Sequence, residues 1–182
     1  AESGGVMNTM TLPIETMTLS MDSADDAPAV SADAVQEAPG RYTHVAHYAE
    51  GGMGRILLVH DAYLGRSVAL KELIPPEVRA NTTNAALGVR QSDAMAARFL
   101  QEARITGQLE HPSIVPIHEL GRRADGTLYY TMKLVKGKTL GDALRERTTL
   151  RGRLELLHNF VDLCQAVAYA HSRGVIHRDI KP

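Results

Sequence analysis

The sequence has a single cysteine, Cys164, so no disulfide can form within its 182 residues and packing must hold the fold. A lone thiol also suits a reducing compartment. Cys164 lies among Val161, Leu163, Ala166 and Val167, where it is expected to act as a small buried hydrophobe. Long apolar runs are missing too: no window approaches about eighteen consecutive apolar residues, which excludes a membrane-spanning helix within these residues. The start lacks the basic residues and apolar run of a secretory signal. Lys and Arg are absent from residues 1–40, which carry seven acidic residues, whereas residues 41–182 hold twenty basic residues against fourteen acidic ones. The formal net charge of −1 therefore hides an acidic head and a basic body. The basic excess suits a phosphate-bearing ligand, and solvated helix faces account for it equally well. With no aromatic platform or recognition motif beside it, it gives no support to a nucleic-acid partner.

What is present is enough apolar residue, 44% of the chain, to bury the core of one ordinary domain. Residues 1–40 are rich in Ala, Ser, Thr, Asp, Met and Pro without helical or strand period, and are expected to form a disordered leader. From Arg41 the pattern becomes one of short strands. Tyr42–Tyr48 alternates loosely, Ala49 to Gly54 interrupts as a Gly-rich bend, and Ile56–Val59 resumes an apolar strand. Ser67–Lys71 reads as a third strand, ended by Pro75-Pro76. A helix is expected over 92–109, capped by Ser92 or Asp93, with Met95, Phe99, Ala103 and Leu109 on one face. Strands Ile114–Leu120 and Thr127–Lys133 follow, joined by a turn whose Asp125-Gly126 suits a hairpin. Beyond Gly137 the pattern turns helical, over Leu140–Arg147 and Leu150–Ser172, and Gly174 supplies the positive φ that ends such a helix. That makes five strands and one long helix followed by further helices, an α+β class.

Several residues carry chemistry in this arrangement. Glycines let backbone N–H groups approach phosphate oxygens, and a lysine on a nearby strand can neutralise the phosphate charge. Lys71 sits on such a strand, although strand lysines are commonly solvated edge residues. A buried lysine needs a carboxylate, and Glu102 on the long helix offers one. The plainer alternative pairs Glu102 with Arg98 on the helix surface.

The ordered set resembles the protein kinase family. It consists of Glu50-Gly51-Gly52-Met53-Gly54-Arg55-Ile56, Val68-Ala69-Leu70-Lys71, Phe99-Leu100-Gln101-Glu102-Ala103, His111-Pro112-Ser113-Ile114-Val115 and His177-Arg178-Asp179-Ile180-Lys181-Pro182. The resemblance spans 41–182, is closest to the bacterial serine/threonine kinases of eukaryotic type, and implies a five-stranded antiparallel small lobe with one long helix (41–135) and the first helices of a helical large lobe (136–182). Lys181, two residues after Asp179, matches the serine/threonine branch.

The resemblance implies roles for individual residues. Gly51, Gly52 and Gly54, with Ala49, Glu50 and Met53 around them, would fold over the ATP phosphates. Val68, Ala69 and Ile56 would press on the adenine ring. Lys71 would grip the α- and β-phosphates, oriented by Glu102. Met132 would be the gatekeeper, with the backbones of Lys133 and Val135 as adenine partners. Asp179 would accept the substrate hydroxyl's proton and Lys181 would stabilise charge on the transferring phosphoryl group. Arg178 would meet a phosphorylated activation loop, and His177 would pack structurally.

Ala49 departs from the family pattern, standing where the loop's first glycine is usual. No residue of the chain is assigned to a metal. The family's Mg²⁺-binding Asn and Asp-Phe-Gly residues are expected after Pro182, so the chain by itself is expected to be inactive and poorly stable. The expected partners are ATP and proteins bearing Ser or Thr, in the cytoplasm, with membrane attachment only through residues further along. The competing reading is a pseudokinase or ATP-binding scaffold, which keeps the fold without the transfer.

Overall fold

The computed structural model of the chain describes residues 34–51, 53–74 and 85–180, with side chains described from residue 92 in the last stretch. Residues 1–33 of the expected leader, Gly52, the Pro75-Pro76 stop, Lys181 and Pro182 lie outside them. The described residues fall into two compact units, one of 34–109 with 116–134 and the other of 110–115 with 135–180.

The first unit is a sheet with one helix. Its strands are β1 (Val35–Gln36), β2 (Tyr42–Glu50), β3 (Gly54–Asp61), β4 (Arg66–Leu73), β5 (Ile117–Arg122) and β6 (Leu128–Lys133), and its helix is α1 (Ala85–Gly107). The spatial order is β1-β5-β6-β4-β3-β2. All neighbours are antiparallel except β1, which runs parallel to β5. The α+β class stands, while the five-stranded antiparallel lobe becomes a mixed sheet of six strands among the described residues.

Register assigns the two faces. Opposed residues of an antiparallel pair project to the same side. Leu57, Val59, Val68, Leu70 and Tyr129 share one face and pack with Tyr42 into a buried cluster, in which the Tyr42 and Tyr129 rings meet edge to face at 5.7 Å. Full burial of each aliphatic side chain in this cluster contributes about 1.5–3 kcal/mol. β4 and β6 are the central strands, and both are covered on both faces over most of their length. The loose alternation of β2 has a backbone cause: its pairing with β3 slips between His44 and Ala46 and again between His47 and Ala49.

Four boundaries differ from the sequence reading. Helix α1 starts at Ala85, because the helix formers Ala85, Ala86, Leu87, Arg90 and Gln91 extend it backwards past Ser92 and Asp93. β5 starts at Ile117 instead of Ile114. Residues before it turn, with the Ile114 N–H on the His111 carbonyl, and Pro116 has no N–H for a ladder. Val35–Gln36, inside the expected leader, is a strand. Two residues carry too little pattern to be read as one.

The fourth difference lies in the second unit, which holds α2 (Leu140–Glu146), α3 (Leu150–Leu154) and α4 (Leu157–Ser172). The helix expected over Leu150–Ser172 is interrupted at Glu155 and Leu156. There the Leu156 N–H tightens onto the Arg153 carbonyl three residues back, and Leu156 turns inward to be buried. Thr139 and Thr149 cap α2 and α3 through their hydroxyls. α4 ends as expected at Gly174 (φ 74°): the Gly174 N–H bonds to His171 and the Val175 N–H to Ala170, with Ala170 and Val175 both buried.

Cys164 is exposed, against expectation. The buried stripe of α4 is Asn159, Ala166 and Ala170, and Cys164 lies two residues from Ala166, on the far side of the helix. Among the described residues no helix is long and apolar enough to cross a membrane.

β1 is held by charge as well as by its ladder. Glu72, buried on β4, is bound by Arg55 and by Arg123, whose Nε lies 3.0 Å from its Oε2. Arg123 also binds Glu37, at 3.2 Å. Burial raises the Glu37 pKa more than Arg123 lowers it, so this pair fixes the segment's placement more than it adds stability. Replacing Arg123 with Leu strands Glu37 and leaves Glu72 with Arg55 alone. The expected result is a loss of about 2 kcal/mol in urea unfolding, part of which returns when Glu37→Gln is added. Unchanged stability in Arg123→Leu would refute the network.

Candidate active site

The face of the sheet opposite the tyrosine-lined cluster gathers most of the residues singled out from the sequence. Ala49 is opposed by Ile56, Ile56 by Lys71, and Lys71 by Tyr130. One step along, Ala69 is opposed by Met132. Register therefore places Ala49, Ile56, Ala69, Lys71 and Met132 on one side. Ala69 and Met132 are buried, and Ile56 is half-buried.

Lys71 and Glu102 meet. Both are buried, 4% and 2% exposed, and Lys71 Nζ donates to Glu102 Oε1 at 2.6 Å. Arg98, the alternative partner, is exposed. Glu102 reaches the sheet because α1 turns Phe99, Glu102, Ala103 and Thr106 inward, the spacing of one helical face. Removing either charge would leave the other buried alone, a change of about 3–5 kcal/mol.

The Gly-rich bend is the β2–β3 hairpin, closed by the Gly51 N–H on the Gly54 carbonyl at 2.9 Å. Glu50 ends β2, Gly51 is exposed, and the Met53 carbonyl accepts the Ile74 N–H at 3.3 Å. Gly54 has a role the sequence reading missed. A Cβ there would stand 2.3 Å from the Glu72 carbonyl oxygen, so β3 can lie this close to β4 only without a side chain.

Sequence reasoning also missed Tyr130, whose phenol donates to Glu102 Oε1 at 2.8 Å. The one available signal was a phenol in a buried strand beside that of Lys71. Burial, and after it the Glu102 charge, hold the Tyr130 pKa well above its ordinary value, so this hydroxyl stays a donor. The Lys133 N–H is taken by the Pro116 carbonyl at 3.1 Å.

Val135, His177, Arg178 and Asp179 belong to the second unit. His177 is buried, and its Nδ1 accepts the Asp179 N–H at 3.3 Å. Arg178, between them, has φ 61°, a left-handed backbone that makes the chain double back at this point. Asp179 is half-buried.

Comparison with known proteins bears on this arrangement. A family model described as the protein kinase domain matches residues 42–182. The chain is 37% identical over 153 residues to the serine/threonine-protein kinase PknD of Protochlamydia amoebophila, covering 78% of this chain and 14% of that protein. It is 33% identical over 155 residues to the PknD of Chlamydia pneumoniae, covering 78% and 15%. The chain thus spans about a seventh of the length of these curated relatives. The crystal structure of the Mycobacterium tuberculosis PknI kinase domain superposes with a TM-score of 0.54 at 28% identity, covering 79% of this chain and 52% of that one.

Burial holds the His177 pKa below the ordinary imidazole value, outweighing the opposing pull of Asp179. The unfolded chain therefore takes up the proton first. The stabilisation is complete above about pH 6.5 and is lost as pH falls from there through the folded pKa. Protonation also removes the lone pair that holds the Asp179 amide. The His177 ring and the Asp179 amide are expected to titrate together in NMR spectra with a midpoint below 6.5. A ring midpoint above 6.5, or an amide that ignores it, would count against the assignment.

Proposed function

The chain belongs to the protein kinase family, and on that premise we propose that it serves to transfer the γ-phosphoryl group of ATP to serine and threonine hydroxyls of proteins. The observation that carries the reading is the buried Lys71–Glu102 pair on the sheet face that also bears Ala69 and Met132. An ammonium held by one carboxylate in an apolar setting points in a fixed direction. Such a group suits a triphosphate, and small or flexible apolar side chains beside it suit a purine. The residues present therefore fit a nucleotide.

In this reading Lys71 binds the α- and β-phosphates, and Glu102 orients it. The hairpin of Gly51, Gly52 and Gly54 folds over the phosphates, its glycines letting the backbone come close to them. Ile56 and Ala69 contact the adenine and Met132 limits the depth of its site; Val68, expected beside them, lies instead in the core on the opposite face of the sheet. The Lys133 carbonyl, with the N–H of that residue already engaged, accepts from the purine amine, and the Val135 N–H donates to the ring.

Asp179 accepts the proton of the attacking hydroxyl and orients its oxygen, while Lys181 offsets charge on the transferring group. Magnesium supplies further charge neutralisation in this family. Among the described residues no group of three or more His, Cys, Asp or Glu is placed to hold a metal ion. Ser/Thr specificity rests on Lys181 and on the similarity to the two PknD proteins.

Lys71→Met or Asp179→Asn in the full-length protein is expected to lower phosphotransfer from radiolabelled ATP to a Ser/Thr protein substrate by about 100-fold or more. Lys71→Met should also weaken ATP binding, whereas Asp179→Asn should leave it nearly intact. Undiminished transfer in either variant overturns the assignment of that residue. A wild-type protein that binds ATP and transfers nothing would favour a nucleotide-binding scaffold.

A further inference from the structure

The Lys71–Glu102 pair does not stand alone. Two donors converge on one oxygen: Glu102 Oε1 accepts from Lys71 Nζ at 2.6 Å and from the Tyr130 hydroxyl at 2.8 Å. The second carboxylate oxygen, Oε2, is buried and has no hydrogen-bond partner among the described residues. Every hydrogen bond seen on this carboxylate thus acts through a single atom, and Tyr130 supplies half of them.

Tyr130 is built to hold its position. Its side chain is fully buried. Its ring packs on Phe99 at 5.1 Å between centroids, and Phe99 lies three residues before Glu102 on the same face of α1. The Lys71 ammonium lies 5.6 Å from the ring centroid, within the range of a cation–π attraction. Strand register opposes Tyr130 directly to Lys71 across β4 and β6. The phenol is therefore fixed by sheet and helix together before it meets the carboxylate.

We infer that Tyr130 is a positioning residue for the proposed phosphotransfer, acting through Glu102 to fix the direction in which Lys71 presents its ammonium to the nucleotide. The physical reason is the freedom of the glutamate. Three side-chain torsions would let Glu102 swing about a single bond to Lys71. A second donor, on a rigid aromatic attached to the strand beside that of Lys71, leaves one arrangement. A charged acceptor makes this hydrogen bond one of the stronger kind. The phenol's raised pKa keeps it in the donating form.

This inference rests on the kinase reading, and the test separates the two. Tyr130→Phe keeps the ring, its contact with Phe99 and its attraction for the ammonium, and deletes one hydroxyl. In the full-length protein it is expected to lower kcat/KM about 10-fold and to weaken ATP binding, measured by calorimetric titration, about 3- to 10-fold. The decisive measurement is the double-mutant cycle on ATP affinity with Glu102→Gln. If the hydroxyl acts through the carboxylate, Tyr130→Phe weakens binding less than about 2-fold once Glu102 is Gln. A merely structural hydroxyl would instead weaken binding by the same factor in both backgrounds. That result, or a fully active Tyr130→Phe, overturns the inference. A wild-type protein that transfers no phosphoryl group from ATP, by contrast, would sink the kinase reading itself.

Discussion

The contact between Lys71 and Glu102 is the interaction on which the rest of the first unit depends. Each group alone would be a bare charge in an apolar setting, at a cost of several kcal/mol, so neither is tolerable without the other. Because one sits on β4 and the other on α1, the electrostatic requirement becomes a mechanical one. The helix cannot slide or turn without exposing a charge to hydrocarbon. The position of α1 and the direction of the ammonium are therefore one variable, and any influence that displaces the helix also re-aims the lysine.

The sheet supports this with a division of labour between its faces. On one, Leu57, Val59, Val68 and Leu70 pack with two tyrosines into a core that tolerates no gaps. On the other, the residues proposed to meet the nucleotide stand in rows set by strand register. Tyr129 and Tyr130 are neighbours in sequence and project to opposite faces, so one ring finishes the core while the other braces the charged pair. A slip of one residue in β6 would exchange them and bury the wrong hydroxyl on each side.

Much of this was legible in the sequence. The hairpin, the lysine strand, the Asp125-Gly126 turn and the Gly174 helix end each depend on local chemistry, and local chemistry is what a sequence displays. Gly126 and Gly174 do adopt positive φ, and the Thr127 N–H bonds to the Asp125 side chain at 2.9 Å. The pairing of Lys71 with Glu102 was legible as one of two options, and folding chose between them by burying one side of α1. Other features depend on what lies across the fold. Gly54 looks like a loop residue until the Glu72 carbonyl is found against it. Cys164 looks buried until the inward stripe of α4 is located elsewhere. The strand at Val35–Gln36 exists because β5 offers it an edge, and no pattern in two residues announces that.

The charges that anchor this short strand have a bearing on how the domain is delimited. Similarity to the family begins at residue 42, yet Glu37 and Arg41 reach across to Arg123 and Glu119, which lie well inside it. A limit drawn from shared sequence therefore falls within a set of ion pairs and not at the margin of the folded body. Trimming the polypeptide at that limit would take away partners of groups that remain, so a clone designed by alignment alone would begin one strand too late.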